Sequence, residues 1–166
     1  MSKKILHRGE LRNYKRKDHD EVFLFFKKFA INSDLLFLKS NPNHLSRREK
    51  TLNIKYAFNE AIGIETEKCL LIDSDTDDIV AFYSFHTRSK TVEWIFVNPD
   101  YFFSEKLLDS AMSFFKKMSK KYNLPFIRAK LLKRSNFERY VKFVCKHYNG
   151  KVIFEAEDYT TVNLKM

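Results

Sequence analysis

Glycine and proline are both scarce in this sequence, with three residues of each among 166. Glycine adopts positive φ most readily, so its scarcity predicts few tight loops and few close approaches of backbone to a ligand. Cysteine is rarer still, and Cys69 and Cys145 each lie inside an apolar run. That setting is typical of buried free thiols in a reducing compartment and does not indicate a disulfide framework.

Long hydrophobic runs are also missing. No stretch approaches the ~20 apolar residues that a membrane-spanning helix needs. The basic residues that follow Met1 are not succeeded by an apolar segment of signal-peptide length. The sequence therefore predicts a cytoplasmic protein with no membrane partner.

Apolar and aromatic side chains are what the chain has in quantity. Hydrophobic residues make up 44% of it, with 17 Phe and 8 Tyr. Burying so many large side chains offsets the entropy cost of ordering the chain, so disorder is not expected. Compact domains cluster near about 100–150 residues, and chains seldom divide below about 250. We expect residues 1–166 to form a single domain.

Positive charge is abundant and unevenly spread. The formal net charge is +10, and residues 106–151 alone carry thirteen Lys or Arg against Asp109 and Glu138, a net +11. A basic face of this size favours an anionic partner such as nucleic acid, an acidic protein surface or a phosphorylated cofactor. A solvated lysine surface without a partner is the alternative.

Two segments in the first half of the sequence have the periodicity of amphipathic helices. The first repeats apolar residues at i, i+3, i+4 and i+7, namely Val22, Phe25, Phe26 and Phe29. Its N-cap is predicted at Asp18 or Asp20. The second begins with the capping-box sequence Ser46–Glu49 and ends at Gly63, which is predicted to take a left-handed conformation.

From Cys69 onward the apolar pattern shortens to runs typical of strands. Runs at 69–72, 79–85 and 92–97 predict a three-stranded antiparallel meander. Other strands are predicted over 5–14 and 126–131, and the tail 151–165 is one long strand or a bent pair. Helices predicted from about 104 to 122 and 136 to 148 lie between strands, which requires a parallel pairing in an otherwise antiparallel sheet.

The acidic run Asp73–Asp78 begins like a calcium loop but does not complete one. Asp78 stands where the loop needs its sixth-position Gly, and Ser84 stands where it needs Glu. We interpret the run as a hairpin turn. The five histidines have no metal-ligand spacing with either cysteine, so no metal site is predicted.

The order of elements resembles that of the GNAT acetyltransferases over essentially the whole chain. Thr91–Pro99 resembles the family's fourth strand with its V-x-P ending, and Asn136 stands where the family usually has Asn at the start of the next-to-last helix. The resemblance implies an α/β fold of the α+β type. It would contain a GNAT-like mixed, mostly antiparallel sheet of six or seven strands with about four helices on its faces.

The resemblance also implies acetyl transfer from acetyl-CoA to an amine, in which a nearby carboxylate acts as general base. Glu93 stands where several family members carry a basic Glu. Backbone groups of Phe96 and Val97 would bind the pantetheine arm. Strict alternation places Glu93 and Val97 on the face opposite Val92, and a Glu93 at a solvated edge is the alternative to a catalytic one.

The family binds the cofactor pyrophosphate with Q/R-x-x-G-x-G/A at a helix N-terminus, where glycines let amides approach the phosphate. This chain has Asp100–Lys106 there and neither glycine. Ser104 and Lys106 are the candidates for phosphate contacts, and Asn136 is a further cofactor-binding candidate.

The family often protonates the leaving thiolate with a Tyr placed seven residues after that Asn. The position is Phe143 here. Tyr140 is the predicted substitute as catalytic acid, with Tyr148 as a second candidate and core packing as the alternative for both.

Two functions are consistent with these residues. One is a GNAT-like N-acyltransferase that acetylates an amine on a small molecule or a protein. The other is a GNAT-fold protein without cofactor chemistry that contacts nucleic acid or an acidic protein through the basic 106–151 face. The missing glycines favour the second function, whereas Glu93 and the V-x-P step favour the first.

Overall fold

A seven-stranded sheet is the centre of this computed structural model. The structure describes residues 2–32, 55, 58–59, 61–98, 100–102, 104–132, 142, 145–157 and 159–166. The side chains at 28–32, 93–96, 130–132 and 159 are not included in that description. The strands are β1 Gly9–Asn13, β2 Thr66–Asp73, β3 Ile79–His86, β4 Thr91–Val97, β5 Phe126–Leu132, β6 Lys151–Glu155 and β7 Tyr159–Lys165. The helices are α1 His19–Asn32 and α2 Glu105–Tyr122, and helical residues also occur at 55, 58, 59, 61, 142 and 145–147.

The strand order is β1-β2-β3-β4-β5-β7-β6. Every neighbouring pair is antiparallel except β4 and β5, which are parallel. The mixed, mostly antiparallel sheet is confirmed, with seven strands rather than six. The tail forms the bent pair β6 and β7. The acidic run after β2 is confirmed as the hairpin turn that joins it to β3.

The sheet has a hydrophobic cluster on each face, because β3 carries apolar side chains in both directions. On one face Phe82 packs with Val22 and Phe26 of α1. On the other face Tyr83 and Phe85 pack with α2. The buried residues of α2 are Leu107, Ala111, Met112, Phe114, Phe115, Met118 and Ser119. The predicted inward stripe of α1 is confirmed at 22, 25 and 26, and the side chain of Phe29 lies outside the described residues.

Positive φ occurs in this protein without glycine. None of the three glycines has positive φ, whereas Asp77, Lys90, Asn123 and Asn149 do, at 61°, 54°, 51° and 49°. Scarce glycine therefore does not remove left-handed positions from this chain, and the four in the described residues are taken by other residue types. Asp and Asn tolerate this conformation because their short polar side chains bond locally.

The end of the helix before β2 is capped by side chains instead of by a left-handed glycine. Lys68 Nζ donates to the carbonyls of Ile62 and Gly63 at 3.0 and 3.1 Å, and Thr66 Oγ1 donates to the Gly63 carbonyl at 2.6 Å. The prediction for Gly63 is wrong because these donors already satisfy the terminal carbonyls. The predicted start at Ser46–Glu49 lies outside the described residues.

The start of α1 also differs from its prediction. Asp20 lies inside the helix, and Asp18 closes a 3₁₀ turn at Arg16–Asp18. The Asp18 carboxylate accepts hydrogen bonds from the Lys15 amide at 2.7 Å and from Arg12 at 2.8 Å. Arg12 on β1 thus binds the Asp18 side chain, which the sequence predicted as an N-cap of α1.

The segment before β1 is paired with a distant loop. β1 begins at Gly9 instead of Ile5, and Lys4 forms a parallel bridge with Tyr101. The Lys4 amide donates to the Asp100 carbonyl at 2.6 Å, and the Phe102 amide donates to the Lys4 carbonyl at 2.8 Å. We call residues 2–8 the N-terminal arm. Neither α1 nor α2 combines the length and apolarity needed to cross a membrane.

Candidate functional site

A β-bulge bends β4 at Glu93. Val92 pairs with Phe85 and Trp94 pairs with Ser84, so Glu93 is the extra residue between two paired positions. Val92 is buried in the cluster beneath α2, and Val97 packs against the same cluster. The prediction that these two valines face opposite sides is wrong because the bulge shifts the alternation by one residue. The Glu93 side chain lies outside the described residues.

β4 and β5 separate directly after this bulge begins. Their parallel pairing consists of Thr91 with Arg128 and Val92 with Ala129. Both strands continue, to Val97 and Leu132, with no further pairing between them in the described part of the chain. One edge of β4 is therefore open from the bulge onward.

Backbone direction decides which residues present polar groups to that open edge. The Asn98 amide donates to the Val80 carbonyl at 2.7 Å, so Asn98 points toward β3. Successive residues of a strand direct their amides and carbonyls to opposite edges. Val97 and Ile95 therefore face the open edge, while Phe96, opposite Phe82, faces β3. Sequence reasoning missed Ile95 because hydrogen-bond direction depends on the pairing.

α2 begins at Glu105, after the loop that follows β4. Ser104 precedes the helix in an extended conformation, and its hydroxyl makes no capping bond. That Oγ atom is buried and has no hydrogen-bond partner in the structure. The Leu107 and Leu108 amides donate to the Ser104 carbonyl at 3.1 and 3.3 Å.

The described residues around Ser104 differ in their exposure. Phe102 is 50% exposed, and Glu105 and Lys106 in the first turn of α2 are exposed. Among the described residues no acceptor is recorded for the amides of Glu105 and Lys106. Lys106 Nζ donates to the His7 carbonyl of the N-terminal arm, so this candidate phosphate ligand is held by the chain itself.

A polar network fixes the loop that leads into α2. The buried Tyr101 hydroxyl donates to Asp73 Oδ2 at 2.9 Å and lies 3.2 Å from Asp78 Oδ2. Lys4 Nζ lies 2.6 Å from the same Asp78 oxygen. The hydrogen bond from Lys4 lowers the pKa of Asp78, against a smaller opposing effect of burial. The N-terminal arm, the β2–β3 turn and the loop before α2 thus share one set of hydrogen bonds.

The predicted catalytic acid and the predicted cofactor-binding Asn both lie outside the described residues, at Tyr140 and Asn136. The other tyrosine candidate is described. Tyr148 donates its hydroxyl proton to Asp109 Oδ1 on α2. Partial burial and this carboxylate raise the pKa of Tyr148 to about 12. Tyr148 packs beside the core, which was its alternative role.

Much of the basic face of α2 is used within the molecule. Lys106 bonds to the N-terminal arm, Lys117 bonds to Asn13 at 3.3 Å, and Lys121 forms an ion pair with Glu67. Phe114 and Phe115 of α2 are buried. No cluster of three metal-ligating side chains occurs in the described residues, and both cysteines are free thiols.

No protein-family model matches this sequence, and no curated protein matches it. Solved structures do match its fold. The PaiA N-acetyltransferase of Thermoplasma acidophilum, solved in complex with coenzyme A, superposes with a TM-score of 0.68 at 12% identity, covering 96% of this chain and 99% of that one.

Two further structures match over the same length. The N-acetyltransferase PseH of Campylobacter jejuni, in complex with acetyl coenzyme A, has a TM-score of 0.54 at 14% identity, with 96% and 99% of the two chains covered. An acetyltransferase of the GNAT family from Streptococcus pneumoniae has a TM-score of 0.58 at 13% identity and the same coverage, 96% and 99%. At these identities the likeness establishes the fold.

Proposed function

We propose that this chain, which has the GNAT fold, transfers an acetyl group from acetyl-CoA to an amine. The observation that carries the proposal is the open edge of β4, which starts at the bulge of Glu93. In a continuous sheet this edge would be paired with β5. Its separation leaves backbone donors and acceptors available to a ligand.

Residues of the open edge of β4 and of the start of α2 offer polar groups that suit two parts of the cofactor, the pantetheine chain and a phosphate. The backbone groups of Ile95 and Val97 suit the amides of a pantetheine chain. The buried, unpartnered hydroxyl of Ser104 and the first-turn amides of α2 suit a phosphate. Glu105 adds a negative charge there, and Lys106 would have to leave the His7 carbonyl to offset it. Asn136 is a further proposed contact of the cofactor, as the resemblance to the GNAT family implies.

When bound, acetyl-CoA supplies an acetyl group activated as a thioester. Residues of this chain carry out the proton transfers in this proposal. An amine must lose a proton to become nucleophilic, and we assign Glu93 as the general base that accepts it. Tyr140 is assigned as the donor that returns a proton to the thiolate. Tyr148 is less suited to that step because its hydroxyl proton is already donated to Asp109.

The acceptor in this proposal is an amine on a small molecule or a protein. Both cysteines are free thiols, which fits the reducing cytoplasm proposed as the site of action. The alternative, a binding protein using the 106–151 face for nucleic acid or an acidic protein, is less favoured because three α2 lysines already have intramolecular partners.

The proposal is tested with Glu93→Gln, which keeps the size of the side chain and removes its basicity. Removing a general base lowers kcat by about 10²–10⁴-fold. We expect that loss, together with an acetyl-CoA affinity within about twofold of wild type, since the base touches the acceptor. Thiol release during turnover of a panel of amines measures the rate, and titration calorimetry measures the affinity.

Glu10→Gln on β1 is the matched control, because Glu10 is an exposed carboxylate in a strand away from the open edge. It should leave both quantities unchanged. A wild-type protein that binds no acetyl-CoA but binds duplex DNA with salt-sensitive affinity would replace this proposal with the binding function.

A further inference from the structure

The part of the sheet formed by β5, β7 and β6 has an exposed face on the side away from α2. Ile127 and Ala129 of β5 are buried in the cluster beneath α2, so alternation places Phe126 and Arg128 on the opposite face. Both of these side chains are exposed, Phe126 at 50%. α1 packs on the same face of the sheet, but against β3, where Phe82 is buried.

The pairing register extends this face across β7 to β6. Side chains of directly opposite residues in an antiparallel pair lie on the same face. Arg128 pairs with Asn163, and Asn163 also pairs with Lys151 of β6. The extra residue in β6 then brings Phe154 opposite Thr161, which shares the face of Asn163 because it is two residues away. Lys151 and Phe154 therefore lie on the same face.

Aromatic rings and positive charge are combined on this surface, which we call the β5–β7–β6 face. It is made of Phe126, Arg128, Lys151, Phe154, Asn163 and Lys165. Phe154 is 53% exposed, and the three basic side chains are exposed. The one acidic residue in the three strands, Glu155, follows Phe154 and lies on the other face. The strands therefore give this face positive charge and no carboxylate.

The two phenylalanines lie at the ends of a diagonal across the face. Phe126 pairs with Lys165, which is four residues along β7 from Thr161, the partner of Phe154. Strands about 4.8 Å apart with about 3.4 Å per residue place the two Cα atoms about 16 Å from each other. The row of the sheet that contains Arg128 crosses between them. Basic side chains thus lie between two exposed rings.

We propose that the β5–β7–β6 face binds single-stranded nucleic acid. Bases stack on Phe126 and Phe154, since every base offers a flat surface to an exposed ring. Phosphates pair with Arg128, Lys151 and Lys165. A duplex fits this face less well because its bases already stack on one another. An acidic peptide matches the charge but supplies no flat partner for the rings.

The α2 lysines belong to a different surface, because α2 packs on the other side of the sheet. The inference also does not rest on the proposed acetyl transfer. β7 and β6 lie on the side of β5 that is away from β4 and its open edge. Binding of nucleic acid is measured without acetyl-CoA, so a failure of this inference and a failure of the proposed function are distinguishable.

The experiment measures fluorescence anisotropy of labelled oligo(dT) and oligo(U), each of about twelve nucleotides, with the full chain. Both should bind at least about tenfold more tightly than a duplex of equal length, because duplex bases cannot reach the rings. Phe126→Ala and Phe154→Ala should each weaken binding about tenfold, the effect of losing one stacked base. Phe126→Tyr keeps a stacking ring and should bind like wild type.

Lys151→Gln tests the phosphate contacts. It should reduce the slope of log affinity against log salt concentration by about 0.7, the value for one phosphate on a single strand. Lys116→Gln is its matched control, because Lys116 is exposed on α2, on the other side of the sheet. Phe102→Ala is the control for the aromatic variants, because Phe102 is 50% exposed in the loop before α2. Both controls should bind like wild type.

All of the changed side chains are exposed, so the variants are expected to fold, and circular dichroism with thermal unfolding checks that they do. Several results would overturn the proposal. These are no binding of either oligonucleotide at low salt, equal affinity for the duplex, or equal losses in the variants and their controls. Polyglutamate that competes as well as unlabelled oligo(dT) would assign the face to acidic proteins instead.

Discussion

A buried carboxylate at Asp18 shows how one side chain joins two elements. Burial works to raise its pKa, but hydrogen bonds from Arg12 and from the Lys15 amide outweigh burial and lower the pKa below its ordinary value. The Arg12 guanidinium is 2.8 Å from the carboxylate and links the end of β1 to the turn before α1. The ionised form of Asp18 is therefore the one that the fold stabilises.

Asp18→Asn should destabilise the protein near pH 7 by about 1–2 kcal/mol, because it removes hydrogen bonds to a charged acceptor. A carboxyl with a depressed folded pKa contributes stability above its unfolded pKa of ~3.9 and loses it as pH falls through the folded pKa. The difference between variant and wild type should thus shrink below about pH 4. Urea unfolding across this pH range measures it.

Asp20→Asn serves as the control for that experiment, because Asp20 is an exposed neighbour in the first turn of α1. Its effect should stay below about 1 kcal/mol, the usual size of a charge interaction with the helix dipole. Equal losses for the two variants, or a loss for Asp18→Asn that persists in acid, would contradict the role given to the buried ion pair.

Asparagine, and not glycine, takes the left-handed position after helical residues in the described part of this protein. α2 ends at Asn123, which has φ 51° and ψ 53° in the left-handed region. The Leu124 amide donates to the Ser119 carbonyl at 2.9 Å, and Ser119 Oγ donates back to the Leu124 carbonyl at 2.6 Å. The last residues described as helical before β6 are likewise followed by a left-handed Asn149.

Substitutions at Asn123 separate conformation from side-chain chemistry. Asn123→Ala should cost about 1 kcal/mol or more, since a Cβ without a compensating polar group is unfavourable at positive φ. Asn123→Gly should be neutral within about 0.5 kcal/mol. Chemical denaturation gives both values. A glycine variant as unstable as the alanine variant would mean that the amide side chain, and not the backbone, holds the end of α2.

At the scale of the whole molecule, three segments far apart in sequence meet at Tyr101. Its hydroxyl reaches Asp73 and Asp78 in the β2–β3 turn, and Lys4 of the N-terminal arm joins the same Asp78. Burial raises the pKa of Tyr101, so its hydroxyl stays protonated and continues to donate. The loop before α2 is therefore positioned by contacts that span almost 100 residues.

Tyr101→Phe should destabilise the protein by about 2 kcal/mol, because the buried Asp73 carboxylate loses a donor. Amide exchange in the N-terminal arm should accelerate with it, because the arm pairs with the residues on either side of Tyr101. Thermal unfolding and hydrogen exchange provide the two readouts. Tyr122→Phe is the control: Glu67 keeps its bond from Lys121, so the cost should be smaller. A Tyr101→Phe variant as stable as wild type would show that the hydrogen bonds of Tyr101 do not stabilise this loop.

The amino-acid sequence by itself determined the elements and their layers. The apolar stripe of α1 and the meander of β2 to β4 follow from local periodicity, which depends on neighbours a few residues away. The tail was predicted as one long strand or a bent pair, and the structure decided for the pair. A parallel pairing was predicted from the helices between strands, and it lies between β4 and β5. The acidic hairpin turn and the unpaired cysteines were likewise predictable from composition and spacing.

Tertiary structure alone decided the details of the candidate site. The bulge at Glu93 and the direction of the Val97 backbone arise from register with β3 and cannot be seen in one strand's sequence. The same holds for the N-terminal arm beside α2 and for Lys106, whose partner is 99 residues away. A donor or acceptor bonds to whichever group the fold brings near it, so the local sequence pattern does not predict hydrogen bonds between residues far apart in the chain.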